Sequence, residues 1–158
     1  MTERYKPNVT VACIIESHGK YLIVEECIEG LQRFNQPAGH LEQGESILEA
    51  CQREVLEETG LSITPQGLTG IYQYTASDTL SFLRFTFHVS LSSCEKATPF
   101  DPVIKDTHWL NYEEIKSRTA NLRSPLVLSC IDDFLSKTHY PLELLNDEYL
   151  TLAPDHNA

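Results

Sequence analysis

Three glutamates close together, Glu54, Glu57 and Glu58, are the residues of this chain whose type and spacing best suit chemistry. Separations of three and four residues place them on one face of a helix. Like charges at these spacings destabilise an isolated helix by about 0.2–0.5 kcal/mol per pair. The end of a helix is also where its dipole opposes negative charge. A bound hard cation relieves both penalties. Mg²⁺ takes oxygen ligands, keeps several waters, and is typically held by one or two carboxylates plus substrate phosphates. A solvated acidic face is the ordinary explanation for a bare pair of glutamates. Three on one stripe, at the wrong end of the dipole and behind a two-glycine loop, break a local rule in the way functional sites do.

The element that must carry them is legible from its ends. Ser46 is a good N-cap, and Glu49 three residues on completes a capping box. Gly60 suits the left-handed turn that stops a helix. The helix between them runs roughly 13 residues, or about 20 Å. Leu48, Cys51 and Val55 flank the acidic stripe and are expected to pack on a core. Arg53 lies four residues from both Glu49 and Glu57, so it can pair with either, but one cation cannot neutralise the cluster.

From Gly39 to Leu61 the chain reads glycine, five residues, Glu45, seven residues, then Arg53-Glu54-Val55-Leu56-Glu57-Glu58-Thr59-Gly60-Leu61. This resembles the signature of the Nudix hydrolases at every defined position. The stretches VTVACIIESHGKYLIVEE, FNQPAGHLE, FLRFTF and NLRSPLV extend the resemblance, towards one phosphatase branch of that family, over most of residues 8 to 145. The resemblance implies metal ligands at Glu54 and Glu58, assistance from Glu57, and a backbone carbonyl of Gly39 completing the shell. It implies that Arg53 orients a glutamate, in agreement with its reach to Glu57. The implied cofactor is Mg²⁺, with Mn²⁺ as a substitute. The implied fold is an α/β/α sandwich around a mixed, curved sheet. The implied substrate is a diphosphate linked to another group, a nucleotide or a thiamin-related pyrophosphate.

Composition bounds the remaining choices. The 158 residues suit one domain with a real core, here taken as 1–158 with loose tails at 1–7 and from about 146. The net charge of −11 argues against nucleic-acid binding, which needs a basic footprint. It would also repel an anionic substrate unless metal ions neutralise the site. The five cysteines, Cys13, Cys27, Cys51, Cys94 and Cys130, show neither a CxxC pair nor zinc spacing and read as small buried thiols in a reducing compartment. No apolar run approaches a membrane span and the first residues lack a signal region. A soluble cytoplasmic protein, monomeric rather than dimeric, is expected.

Along the chain, residues 9–15 and 21–25 read as a hairpin, with the first strand covered on both faces. Residues 26–32 read as a turn and 33–38 as a short strand. Residues 61–64 are expected to begin a strand, and 68–75 and 79–91 form two more. Residues 92–106 read as a long loop, 108–110 as a short strand and 112–116 as a short helix. Ser124-Pro125 starts an amphipathic helix over 126–137.

The general base stays open between Glu57, which Arg53 can hold, and the acids of the later loop, Asp101 and Asp106, or no dedicated base. Arg84 and Arg123 are expected to be surface cations in preference to phosphate contacts. Phe34 is expected to pack in preference to stacking on a substrate ring, and Trp109 to be core. His40 is balanced between a phosphate contact and a solvated side chain.

The function implied is a Mg²⁺-dependent phosphohydrolase of nucleoside tri- and diphosphates that releases orthophosphate and also takes thiamin pyrophosphate or its hydroxymethylpyrimidine pyrophosphate precursor. One alternative is a Nudix pyrophosphatase of another nucleoside diphosphate derivative. For ADP-ribose the family usually has a proline some fifteen residues past the signature, and none occurs between Pro65 and Pro99. The other alternative is a non-catalytic nucleotide-binding sensor. Such proteins commonly lose a signature carboxylate, and all are present here.

Overall fold

The computed structural model describes residues 2–136 and 138–151. Its strands are β1 (Asn8–Ser17), β2 (Lys20–Ile28), β3 (Leu31–Asn35), β4 (Ala38–His40), β5 (Gly67–Ser77), β6 (Leu80–Ser90) and β7 (Ile104–Asn111). The helices are α1 (Ile47–Thr59), α2 (Tyr112–Lys116) and α3 (Leu126–Ser136). All strands join one mixed sheet in the order β3-β2-β1-β6-β5, with β4 added to β1 and β7 to β2.

The first hairpin does not stay closed. β1 and β2 pair only beside their turn, at Glu16 with Tyr21 and Ser17 with Lys20. Beyond it they part. β1 runs parallel to β6 and takes β4 on its other side, whereas β2 is flanked by β7 and β3. The sheet therefore splits at its centre, and the start of β1 and the end of β2 stand on either side of a gap.

Both faces of β1 are apolar because both are covered. Val11, Cys13 and Ile15 pack with Cys51 and Val55 of α1, while Ile14 packs with Val127, Cys130 and Ile131 of α3. The result is the expected sandwich, a mixed sheet between helices. No helix among the described residues is long and apolar enough to cross a membrane.

Several sequence expectations need correcting. Residues 26–32 are not a turn: β2 continues to Ile28, β3 starts at Leu31, and only 29–30 turn. The strand expected over 33–38 is broken before Ala38, because β3 pairs with β2 and β4 with β1. Residues 61–64 form no strand, although Leu61 and Ile63 are buried in the α1 core. The late loop is shorter than expected, since β7 begins at Ile104 to match the length of β2. The end of the last helix expected at residue 137 lies outside the described residues, as do residues 1 and 152–158 of the expected tails. All five cysteines are free thiols, but only Cys13, Cys51 and Cys130 are buried; Cys27 and Cys94 are exposed.

Candidate active site

The N-terminus of α1 is fixed by its capping box. The Glu49 amide donates to Ser46 Oγ at 3.1 Å, and the Ser46 amide to the Glu49 carboxylate at 2.7 Å. That bond takes Glu49 away from Arg53. Arg53 pairs instead with both oxygens of Glu45 at 2.9 Å, with Glu54 at 2.7 Å and with Glu57 at 3.2 Å. Its remaining donor reaches the His40 carbonyl at 2.9 Å. One guanidinium thus ties the loop before α1 to the acidic stripe. With so many carboxylates about it, led by Glu45, its proton is held more tightly than usual.

The C-terminus of α1 is fixed by a second loop. Gly60 adopts φ 72° and donates its N–H to Leu56 O at 2.8 Å. The amide of Thr98 donates to Thr59 O at 2.8 Å, and those of Phe100 and Asp101 to Glu57 O at 2.9 Å. These bonds satisfy carbonyls a helix end leaves orphaned. They also bring Asp101 up to the glutamates.

Glu58 is 5% exposed and accepts from the Ala38 amide at 3.0 Å. Burial pushes its carboxyl up to about 9, against the Ala38 bond and with help from the charges of Glu26, Glu54 and Asp101. Burial also raises Glu54, more than the neighbouring Arg53 lowers it. Gly39 lies so close to the Glu54 carboxylate that a Cβ at this position would collide with it. Glu57 is the exposed member, with 46% of its side chain open. Glu54 against Gly39 and buried Glu58 on the Ala38 amide, with Arg53 beside Glu54, form a donor set of hard oxygens that fits a divalent cation. Among the described residues, the group whose ligand atoms already lie together is a different one, Glu25, Asp106 and His108. There His108 Nε2 bonds Glu25 at 2.7 Å, and the Gln32 amide, then His108, hold the Glu25 carboxyl below its usual range.

That second group settles the position of Asp106. Asp106 pairs with Glu25 and His108 with Ile23, so all share the sheet face of the α3 core. Phe34 belongs to the same face, 5% exposed, edge-on to His108 and with Arg118 over its ring. It packs, as expected. Trp109 packs against the α1 core and donates to Glu95 O at 2.8 Å.

A cleft of about 270 Å³ opens where the sheet splits. Ala38, Gly39, His40 and Glu26 line its acidic end, and Arg84 and Arg123 line it too. Glu26 is a site residue that sequence reasoning missed. Burial raises its carboxyl, with Arg123 opposing and Asp101 reinforcing the shift. Arg84 is a correction: it is 5% exposed and not a surface cation. The reason is α3, which covers that face of β6: Gln36 ties Arg84 to Val127 O, and Thr86 lies against Cys130.

The mixed sheet, split above a helix that ends in clustered glutamates, is the architecture of a hydrolase family to which the chain belongs, the Nudix family: the NUDIX domain model matches residues 4–129. Phosphatase NudJ of Escherichia coli strain K12 is 46% identical over 143 residues, covering 90% of this chain and 93% of that protein. A NUDIX hydrolase from Nitrosomonas europaea superposes with a TM-score of 0.82 at 50% identity, over 89% of this chain and 97% of that one. The NUDIX domain of Shewanella oneidensis NrtR, solved with ADP ribose, has a TM-score of 0.71 at 13% identity, over 84% of this chain and 91% of that one; it shares the fold. The protein is a Nudix hydrolase.

Proposed function

We propose that this chain is a Mg²⁺-dependent phosphohydrolase that releases orthophosphate from nucleoside tri- and diphosphates, and from thiamin pyrophosphate or its hydroxymethylpyrimidine pyrophosphate precursor. The observation that carries it is the meeting of α1 with β4 beside the cleft: Glu54 lies against Gly39, and buried Glu58 accepts from the Ala38 amide, both strand residues lining the cleft. The likeness to phosphatase NudJ supports the phosphatase reading over other diphosphate chemistries.

In this reading Glu54, Glu58 and the Gly39 carbonyl would hold the metal, with Glu57 assisting, and Mn²⁺ would substitute for Mg²⁺. Bound cations neutralise phosphate oxygens and make water a better nucleophile. The chain's own residues do the rest. Arg53 fixes Glu57 through one carboxylate oxygen, leaving the other to accept the proton of the attacking water. As water bonds to phosphorus, the anhydride P–O bond breaks and the leaving oxygen departs. Asp101, held at the end of α1 by the Phe100 and Asp101 amides on Glu57 O, is the second candidate base. Asp106 lies with Glu25 and His108 on the face of β2 and β7 turned to the α3 core.

Ion chromatography of products, with pure protein and Mg²⁺, tests the proposal. Orthophosphate with little pyrophosphate is expected from a nucleoside triphosphate, from the matching diphosphate and from thiamin pyrophosphate. Stoichiometric pyrophosphate from the triphosphate, with the diphosphate untouched, overturns it.

A further inference from the structure

Arg84 is a buried cation that lacks an anion. Its Nη2 donates to Gln36 Oε1 at 2.7 Å and its Nε to Thr86 Oγ1 at 3.3 Å, both neutral acceptors. Gln36, 1% exposed, is itself fixed by donating to Val127 O of α3 at 2.8 Å. Among the described residues no carboxylate pairs with Arg84, and its Nη1 makes no hydrogen bond. A buried charge is costly unless it is paired and hydrogen-bonded, and burial here makes the guanidinium less basic than usual. Yet its orientation is fixed from α3 through Gln36, and it lines the cleft. That is the arrangement of a receptor held ready for an incoming anion, with the ordering cost met by the fold.

Its position relative to the glutamates limits what the anion can be. His40 of β4 and Arg84 of β6 both pair with Thr10 of β1, so their backbones lie two strand spacings apart, about 9.5 Å. Arg84 is thus set two strands away from β4, against which Glu54 and Glu58 lie. It is within reach of a ligand that occupies both ends. A guanidinium also matches phosphate oxygens in geometry as well as charge.

Resting on the hydrolase reading above, we propose that Arg84 is a phosphate-recognition residue at the inner end of the cleft, binding a phosphoryl group of the substrate independently of the metal. Arg84, anchored by Gln36, selects for phosphate at that end, while the glutamates serve the scissile one. The site therefore retains affinity for a phosphoanion when no metal is present.

The test uses the full chain stripped with EDTA and probed with inorganic pyrophosphate and orthophosphate at constant ionic strength, against chloride. Wild type should bind pyrophosphate by calorimetry and show a rise in Tm. Arg84→Gln should weaken that binding about 10- to 100-fold, as for a lost charged hydrogen bond; Arg84→Lys should recover part of it. With Mg²⁺ and a nucleoside diphosphate, Arg84→Gln should raise KM by a similar factor and lower kcat less. Unchanged pyrophosphate affinity and unchanged KM in a folded Arg84→Gln overturn the proposal. So does a loss that appears for nucleoside diphosphates but not for pyrophosphate, which would make Arg84 a reader of the attached group. If Arg84→Gln does not fold, the wild-type measurement decides: metal-free protein with no response to pyrophosphate beyond that to chloride overturns it. If metal-free wild type binds pyrophosphate and Arg84→Gln does not, yet wild type hydrolyses no diphosphate with Mg²⁺, the phosphohydrolase reading fails while the phosphate contact at Arg84 stands.

Discussion

Glu58 is a carboxylic acid that the fold keeps out of water, and its proton is the first thing a cation must displace. In the metal-free protein its carboxyl is pushed from 4.5 up to about 9. Between those values the native state binds more protons than the unfolded chain, so stability falls as pH rises. The penalty is absent below about 4.5 and complete above about 9. Glu58→Gln keeps the size, removes the charge and abolishes that slope. Urea unfolding of the metal-free variant should show higher stability than wild type at pH 8 and equal stability near pH 4. Its turnover with Mg²⁺ should drop by at least ~10²-fold, the scale on which losing a positioned acid or base acts. Near wild-type turnover would remove Glu58 from the site. Arg53→Ala removes no proposed ligand but frees Glu45, Glu54 and Glu57 together. Turnover should fall at saturating metal, while metal affinity changes less than in Glu58→Gln. Full recovery of turnover at high metal would reduce Arg53 to an electrostatic spacer. The glutamates were legible in the sequence because a helix periodicity and two end signals fix their face. Glu26 was not legible, Arg84 read as a surface cation and Asp101 as only one of several candidate bases, since each sits alone on a separate strand or loop and only tertiary pairing brings it near.

Helix α1 is held at both ends by groups that also belong to the site. The end signals Ser46, Glu49 and Gly60 were readable because capping is local chemistry. What holds the far end was not, because the amides of Thr98, Phe100 and Asp101 come from a loop with no repeating pattern. Gly60 has two reasons to be glycine: its positive φ, and a carbonyl of Thr98 where a Cβ would go. Gly60→Ala should therefore cost about 1–3 kcal/mol, lowering Tm by about 2–4 °C per kcal/mol for a chain of this size. It should also displace the loop that carries Asp101, so kcat falls further than the loss of folded protein explains. Differential scanning calorimetry and kcat per folded molecule read the two effects separately. A destabilised variant with intact kcat would show that the loop has no part in turnover.

Across the whole molecule, the sandwich was foreseeable from the doubly apolar β1, but the split of the sheet was not, because a hairpin turn says nothing about how far its strands stay paired. The far side of the sheet carries its own pH sensitivity. His88 of β6 is 5% exposed, bonded to Thr69 Oγ1 at 3.1 Å and packed against His139 at 4.1 Å between ring centres. Burial, with the His139 charge, lowers it from 6.5 to about 4. The unfolded chain then binds the extra proton, so stability is lost as pH falls from about 6.5 towards 4. His88→Gln should flatten that part of the unfolding profile relative to wild type, whatever its effect at pH 8. Identical slopes for the two proteins would assign the acid sensitivity elsewhere.

The parallel pairing of β1 with β6 has a consequence in time. Asn8 meets Phe82 and Glu16 meets Ser90, so the middle strands of the sheet come from opposite halves of the sequence. Most other pairings, such as β2 with β3 and β5 with β6, join neighbours along the chain. Loop-closure entropy must be met before a distant pairing returns any contact energy, and topologies rich in such pairings fold slowly. On a ribosome, the signature helix emerges well before the strand that completes the sheet beneath it. The nascent glutamates have no cleft to serve until β6 has been synthesised, so a chain released early is inert rather than half active.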